Sequence, residues 1–247
     1  MFMDDKTRLS YWFPLIEDAG LPIPKTAIIK ATEDELRGLW GSFENRETHI
    51  KAKGLAARIA VEADRIGYPC FLRTDHFSGK HNWEKCCFIE KREDILSHMI
   101  NIAYQWELVN FVASPADVWV VREFLPTIPL GVCKKYGNMP ICREFRFFVE
   151  DGLVKCFHPY WPESSLEDGA ANYPQHFDYE SFSKPADTAE EALLHALAAQ
   201  AGQAVGGCWS VDLLQTKNGW YLTDMAEAKR SWHMPGCEMK EYFAKKK

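Results

Sequence analysis

Apolar residues recur at helical intervals at the start of the chain. Leu9, Trp12, Phe13 and Ile16 fall at i, i+3, i+4 and i+7, which predicts an amphipathic helix over 4–19, closed by Gly20 and kinked or shortened by Pro14. Leu21-Pro22-Ile23-Pro24 then leads into an extended Thr26–Ile29. Thr32 and Glu35 have capping-box spacing for a short helix to Leu39. Residues 41–53 are polar and read as loop, and 54–66 as a helix that Gly67 stops, with Pro69 beyond. A strand over 69–73, a polar turn over 75–81, a strand over 84–90 and a helix over 92–106 complete this half.

Alternation takes over in the second half. Asp117–Leu125 is rich in β-branched and aromatic residues and reads as a strand. Residues 143–150 and 153–160 form a hairpin across Asp151-Gly152. An irregular insertion over 162–187 precedes an alanine-rich helix over 188–205, stopped by Gly206-Gly207. The last hairpin pairs 210–215 with 220–225 across a turn containing Asn218-Gly219, and the tail Lys245–Lys247 frays. Adjacent strands joined by tight turns imply antiparallel sheets with helices packed against them, an α+β class, because a doubly wound parallel sheet needs longer crossovers.

Composition narrows the class. The 247 residues are 47% hydrophobic and 26% charged, an ordinary globular mix sufficient for one large or two smaller domains. A net charge of −6 argues against a general nucleic-acid coat, though not against a local basic groove. No apolar run approaches the ~20 residues of a membrane span, and Asp4 and Asp5 stand where a signal peptide carries bases; both point to a cytoplasmic protein. Eight cysteines without a C-x-x-C pair read as reduced thiols, and His233 with Cys237 makes at most half a metal site.

Walker-type, G-x-G-x-x-G and G-x-S-x-G motifs are all missing. The last hairpin instead carries Asp212 on one strand and Asp224 and Glu227 on the other. A two-residue Asn218-Gly219 turn pairs Asp212 with Met225. A three-residue Lys217-Asn218-Gly219 loop pairs it with Asp224, and facing carboxylates need a cation between them. Oxygen ligands suit Mg²⁺; the alternative has an acid facing solvent or pairing with Lys229 or Arg230. In Arg143–Val149, alternation separates Arg143, Phe145 and Phe147 from Glu144, Arg146 and Phe148. An arginine in an apolar strand needs an anion, either phosphate or one of Glu123, Glu144 and Glu150. Arg73 is similarly placed before Ser78-Gly79-Lys80. Cations and carboxylates together favour a metal–nucleotide site.

The order of these motifs resembles the ATP-grasp superfamily: Asp5-Lys6, Gly20, Pro22, Pro24 and Thr26; Gly67-Tyr68-Pro69 and a strand ending at Arg73; Val120–Leu125; Arg146–Gly152; and Asp212 twelve residues before Asp224, with Ala226 where the family has Asn. The Arg143–Arg146 run is similar to small divergent phage and bacterial members. It is also similar to the cell-division-cycle assembly chaperones that act on a eukaryotic translation initiation factor. The resemblance implies an N-terminal helical segment over 1–64, a small lobe over 65–118 and a large lobe over 119–247, clasping ATP and Mg²⁺ between antiparallel sheets. It implies phosphate contacts from Lys6, Arg73, Ser78, Gly79, Lys80 and Arg146, adenine contacts from Glu123, Phe124 and Leu125, and Mg²⁺ ligands Asp212, Asp224 and Glu227. Arg146, Arg143 and Lys155 are the candidate catalytic side chains. Arg143, Arg230 and His233 would line the acceptor side, with the insertion (Trp161, Tyr173, His176, Tyr179) shaping the pocket. The implied activity is an ATP-dependent carboxylate–amine ligase working through an acylphosphate on an unidentified small-molecule, peptide or protein acceptor. The alternatives are an ATP-binding assembly chaperone for partner proteins and an end ligase for RNA or other nucleic acid.

Overall fold

The computed structural model describes residues 5–40, 46–110, 117–167 and 177–246. The first half runs α1 (Leu9–Asp18), β1 (Thr26–Lys30), α2 (Glu33–Trp40), α3 (Arg46–Ile66), β2 (Cys70–Thr74), β3 (Phe88–Ile89), α4 (Ile95–Asn110) and β4 (Val118–Glu123). There follow β5 (Gly131–Cys133), β6 (Met139–Ile141), β7 (Glu144–Glu150), β8 (Leu153–Pro159), α5 (Glu163–Glu167) and α6 (Tyr179–Phe182). The chain then continues through α7 (Thr188–Val205), β9 (Cys208–Thr216), β10 (Gly219–Glu227) and α8 (Met239–Ala244). This is the expected α+β class. The chain divides into two compact units.

One unit comprises Pro24–Phe124 and Lys134–Met139. Its sheet has the order β1-β4-β2-β3, with every pair antiparallel, and α3 and α4 pack on it. The apolar stripe of α3 (Leu55, Ile59, Ala63) meets Leu72, Trp119 and Val121 in one core, each large side chain contributing roughly 1.5–3 kcal/mol by burial. The capping box forms as expected: Thr32 Oγ1 accepts from Glu35 N at 3.2 Å and Glu35 Oε2 accepts from Thr32 N at 2.8 Å.

The other unit comprises Met1–Ile23, Leu125–Cys133 and Pro140–Lys247. Its sheet has the order β10-β9-β7-β8, again antiparallel. Helix α7 covers one face, with α1 against α7. Leu9, Trp12, Phe13 and Ile16 are buried, as their spacing predicts. Asp187 caps α7 by accepting from Glu190 N at 2.8 Å. Gly202 lets the helix close on the sheet, for a Cβ there would lie 2.7 Å from Val149 Cγ2.

Several sequence expectations are corrected. Residues 46–53 are helix rather than loop: α3 runs from Arg46, and the charged helix formers at its start hid it by their polarity. The expected strand over 84–90 is only the two-residue β3, because Glu84 and Lys85 end a 3₁₀ turn, Lys80–Lys85, begun by left-handed Gly79. Strands β5 and β6 and helix α8 are too short to show a period in the sequence. Residues 24–64 and 119–124 share a unit with 70–89, because β1 and β2 both pair with β4; the expected boundaries at 64 and 118 cut through this sheet.

Candidate nucleotide and metal site

Strand register in the larger unit assembles a polar row. Arg146 on β7 is in register with Asp212 on β9, Asp212 with Asp224 on β10, and Arg146 with His158 on β8. Two residues further along β7, Phe148 is in register with Cys156 and Ser210. Two bulges set the alignment. The β7–β8 hairpin starts with Glu150 opposite Leu153, a register that would bring Phe157 opposite Arg146; a bulge at Lys155 advances His158 instead. The last hairpin starts with Thr216 opposite Gly219, which would bring Thr223 opposite Asp212; a bulge at Thr223 advances Asp224. The turn is thus Lys217-Asn218, different from both loops considered from sequence, while the Asp212–Asp224 pairing is one of the two considered.

Arg146 and Asp212 form a bidentate ion pair, Nε to Oδ1 and Nη2 to Oδ2, both at 2.7 Å. The guanidinium lies 4.9 Å from the centroid of the Tyr160 ring. Burial works against its charge, but the Asp212 carboxylate more than offsets this and raises the Arg146 pKa. Asp224 Oδ1 accepts from Met225 N at 3.1 Å. His158 Nε2 accepts from Met234 N at 3.2 Å, leaving Nδ1 to face Pro159 O at 3.2 Å; burial, then Arg146, lowers its pKa. Nothing in the sequence marks the Lys155 bulge that brings this histidine into the row.

The other candidates fall elsewhere. Glu227 is in register with Trp209, one residue out of step with the Asp224–Ala226 face, and its carboxylate pairs with Lys229 at 3.5 Å and Arg230 at 3.8 Å. Strand alternation thus separates it from Asp212 and Asp224, correcting the expected three-acid ligand set. Lys6 borders a cavity of about 140 Å³ with Glu227, Lys229 and Lys246. Arg143 sits on the opposite face from Arg146, as alternation predicts. Its partner is Glu190 on α7, at 2.9 and 2.8 Å, rather than Glu123, Glu144 or Glu150, so it is not brought to the row. It borders a cavity of about 580 Å³ with Asp178, Ser181 and Lys184 of the insertion; Tyr173 and His176 lie outside the described residues, and Tyr179 donates to Trp161 O at 3.1 Å. Lys155 is 3.3 Å from Glu150. His233 is buried against Phe148, ring centroids 3.6 Å apart, which removes it from an open acceptor pocket.

In the smaller unit, Arg73 is buried on β2 and its Nε donates to Thr74 O at 3.0 Å. Ser78, Gly79 and Lys80 follow in the turn, where Gly79 adopts φ 65°. Glu123 ends β4 and accepts from Lys25 N at 3.2 Å. Phe124 joins a half-buried aromatic group, 5.1 Å from Phe88 and 6.1 Å from Trp83 between centroids. Leu125 is buried and begins the larger unit's second segment.

No family model and no curated protein sequence matches the chain. Cdc123 from Schizosaccharomyces pombe is similar in structure at a TM-score of 0.61 and 14% identity, over 90% of this chain and 84% of that one. A C-terminally truncated form of the same protein gives 0.62 and 14%, over 98% and 90%. D-alanine–D-alanine ligase from Bacillus anthracis complexed with ATP gives 0.48 and 9%, over 89% of this chain and 54% of that one, a score too low to bear on fold or function. The chain therefore has the Cdc123 fold, and the expected likeness to cell-division-cycle proteins holds at that level. Its α+β architecture with antiparallel sheets is the one the ATP-grasp resemblance implies. Among the described residues, no helix is long and apolar enough to cross a membrane.

Proposed function

We propose that the Arg146–Asp212–Asp224 row is a Mg-ATP site and that the chain is an ATP-dependent ligase. One observation carries this reading: a half-buried guanidinium and two carboxylates stand in register on three adjacent strands. Asp212 and Asp224 face each other across β9 and β10, and oxygen donors of this kind are what Mg²⁺ takes. Asp212 and Asp224 would hold the metal and Arg146 a phosphate, for which a planar two-pronged donor is suited. When bound, Mg-ATP supplies the phosphoryl group that activates an acceptor carboxylate towards an amine. The chain's own part is orientation and charge neutralisation. Arg146 is already aimed, held by Asp212 and the Tyr160 ring, so little ordering remains to be done on binding.

A second reading, an ATP-binding assembly chaperone for a protein partner, is favoured by the likeness to Cdc123. Nucleotide product analysis alongside pull-down from the native extract separates the two. A ligase releases ADP only when its acceptor is supplied. A chaperone retains a protein partner and turns ATP over slowly or not at all. Release of AMP with a nucleic-acid substrate would contradict both.

A further inference from the structure

Three side chains of the larger unit converge outside the polar row. Cys156 on β8, and His233 and Cys237 in the segment after β10, place their ligand atoms within 4.8 Å of one another. The two sulfurs are 3.6 Å apart. In tetrahedral zinc, Zn–S bonds of about 2.3 Å set a sulfur–sulfur edge of roughly 3.8 Å, so this pair already has the required spacing. His233 is only 7% exposed, yet neither ring nitrogen has a hydrogen-bond partner. A buried imidazole with both nitrogens unsatisfied costs stability unless something else occupies them.

The surroundings fix these ligands. Stacking on Phe148 sets the His233 ring plane, at an interplanar angle of 19°. The Met234-Pro235-Gly236 loop turns through Gly236 at φ 83°, Cys237 N donates to Met234 O at 3.1 Å, and Met234 N is held by His158 Nε2. Burial, then the neighbouring His158, Arg146 and Lys240, lowers the His233 pKa to about 4, keeping the ring neutral. Burial, then Cys237, pushes the Cys156 thiol up to about 12.

We propose that Cys156, His233 and Cys237 bind a thiophilic divalent ion of the zinc class, which fastens the segment after β10 to β8. On binding, each thiol releases its proton to solvent and forms a sulfur–metal bond, His233 lends a ring-nitrogen lone pair, and water takes the fourth position. Two thiolates then cancel the charge of the ion, and the buried site is neutral. Sulfur and imidazole donors select this ion class over Mg²⁺. The inference does not depend on nucleotide binding.

The test is titration of the reduced full-length chain with Co²⁺, followed by Zn²⁺. The expected result is one Co²⁺ per chain, with thiolate-to-cobalt charge-transfer absorption and tetrahedral d–d bands that Zn²⁺ abolishes. The absorption is lost in Cys156→Ser and Cys237→Ser, weakened in His233→Ala and unchanged in Cys208→Ser, a half-buried thiol outside the cluster. Circular dichroism checks the fold of each variant. Should a variant fail to fold, alkylation of the wild-type chain decides: Zn²⁺ should protect Cys156 and Cys237 and leave Cys208 reactive. The proposal is overturned if the reduced wild type shows no charge-transfer absorption, if the bands survive in the Cys156→Ser/Cys237→Ser double variant, if Zn²⁺ gives no protection, or if the pair forms only a disulfide.

Discussion

Arg146 and Asp212 meet across β7 and β9 with both guanidinium prongs engaged, and their side chains are only 15% and 3% exposed. Burying such a pair stabilises little in itself, since desolvation offsets much of the attraction, but removing one partner strands a buried charge. Arg146→Ala is expected to cost about 3–5 kcal/mol, read as a lower urea midpoint at constant slope. Arg146→Met combined with Asp212→Leu should recover most of that loss while abolishing nucleotide binding. A double variant as unstable as the single one would show that the pair contributes more than charge compensation.

Asp224 behaves differently from Asp212. Asp224→Asn keeps an Oδ1 to accept from Met225 N, so the fold should survive while Mg-dependent ATP binding weakens. Thermal melts and nucleotide titrations on the same preparation test both.

The approach of α7 to its sheet rests on Gly202. A methyl group there meets Val149 Cγ2 at 2.7 Å and Gly152 N at 3.2 Å. Gly202→Ala is a better helix former but overpacks the interface, and a net loss of about 1–3 kcal/mol is expected in chemical denaturation. A gain in stability would show that the helix shifts at no cost.

Acid sensitivity should trace to Glu150. Hydrogen bonds from Lys246 and Tyr242, with Lys155 nearby, hold its carboxyl at about 2 against an ordinary 4.5. A carboxyl lowered on folding stabilises the native state above its unfolded pKa, and that stabilisation is lost as pH falls through the folded value. Melting temperature should therefore drop between pH 4.5 and about 2, and Glu150→Gln should flatten that part of the profile.

Local signals carried much of this structure. The i, i+3, i+4, i+7 series of α1, the Thr32–Glu35 box, and the α7 bounds at Thr188 and Val205 were all readable from residue type and spacing. So was the need of Arg146 for an anion. What could not be read is set by single inserted residues and by distant partners. Lys155 and Thr223 look like ordinary strand residues, yet each bulge decides which side chain enters the row. The partner of Arg143 lies on a helix 47 residues away, and Cys156 comes next to Cys237 across 81 residues. No periodicity encodes such meetings, because they follow from packing of the whole unit.

The central claim is that Asp212 and Asp224 hold a divalent ion against a triphosphate at Arg146. Isothermal titration of the chain with ATP, in Mg²⁺ and then in chelator, tests it most directly. The expected result is saturable one-to-one binding in Mg²⁺ that weakens at least about tenfold, or 1.4 kcal/mol, both in chelator and in folded Asp224→Asn. Equal affinity with and without Mg²⁺, or an Asp224→Asn variant binding as tightly as wild type, would contradict the account.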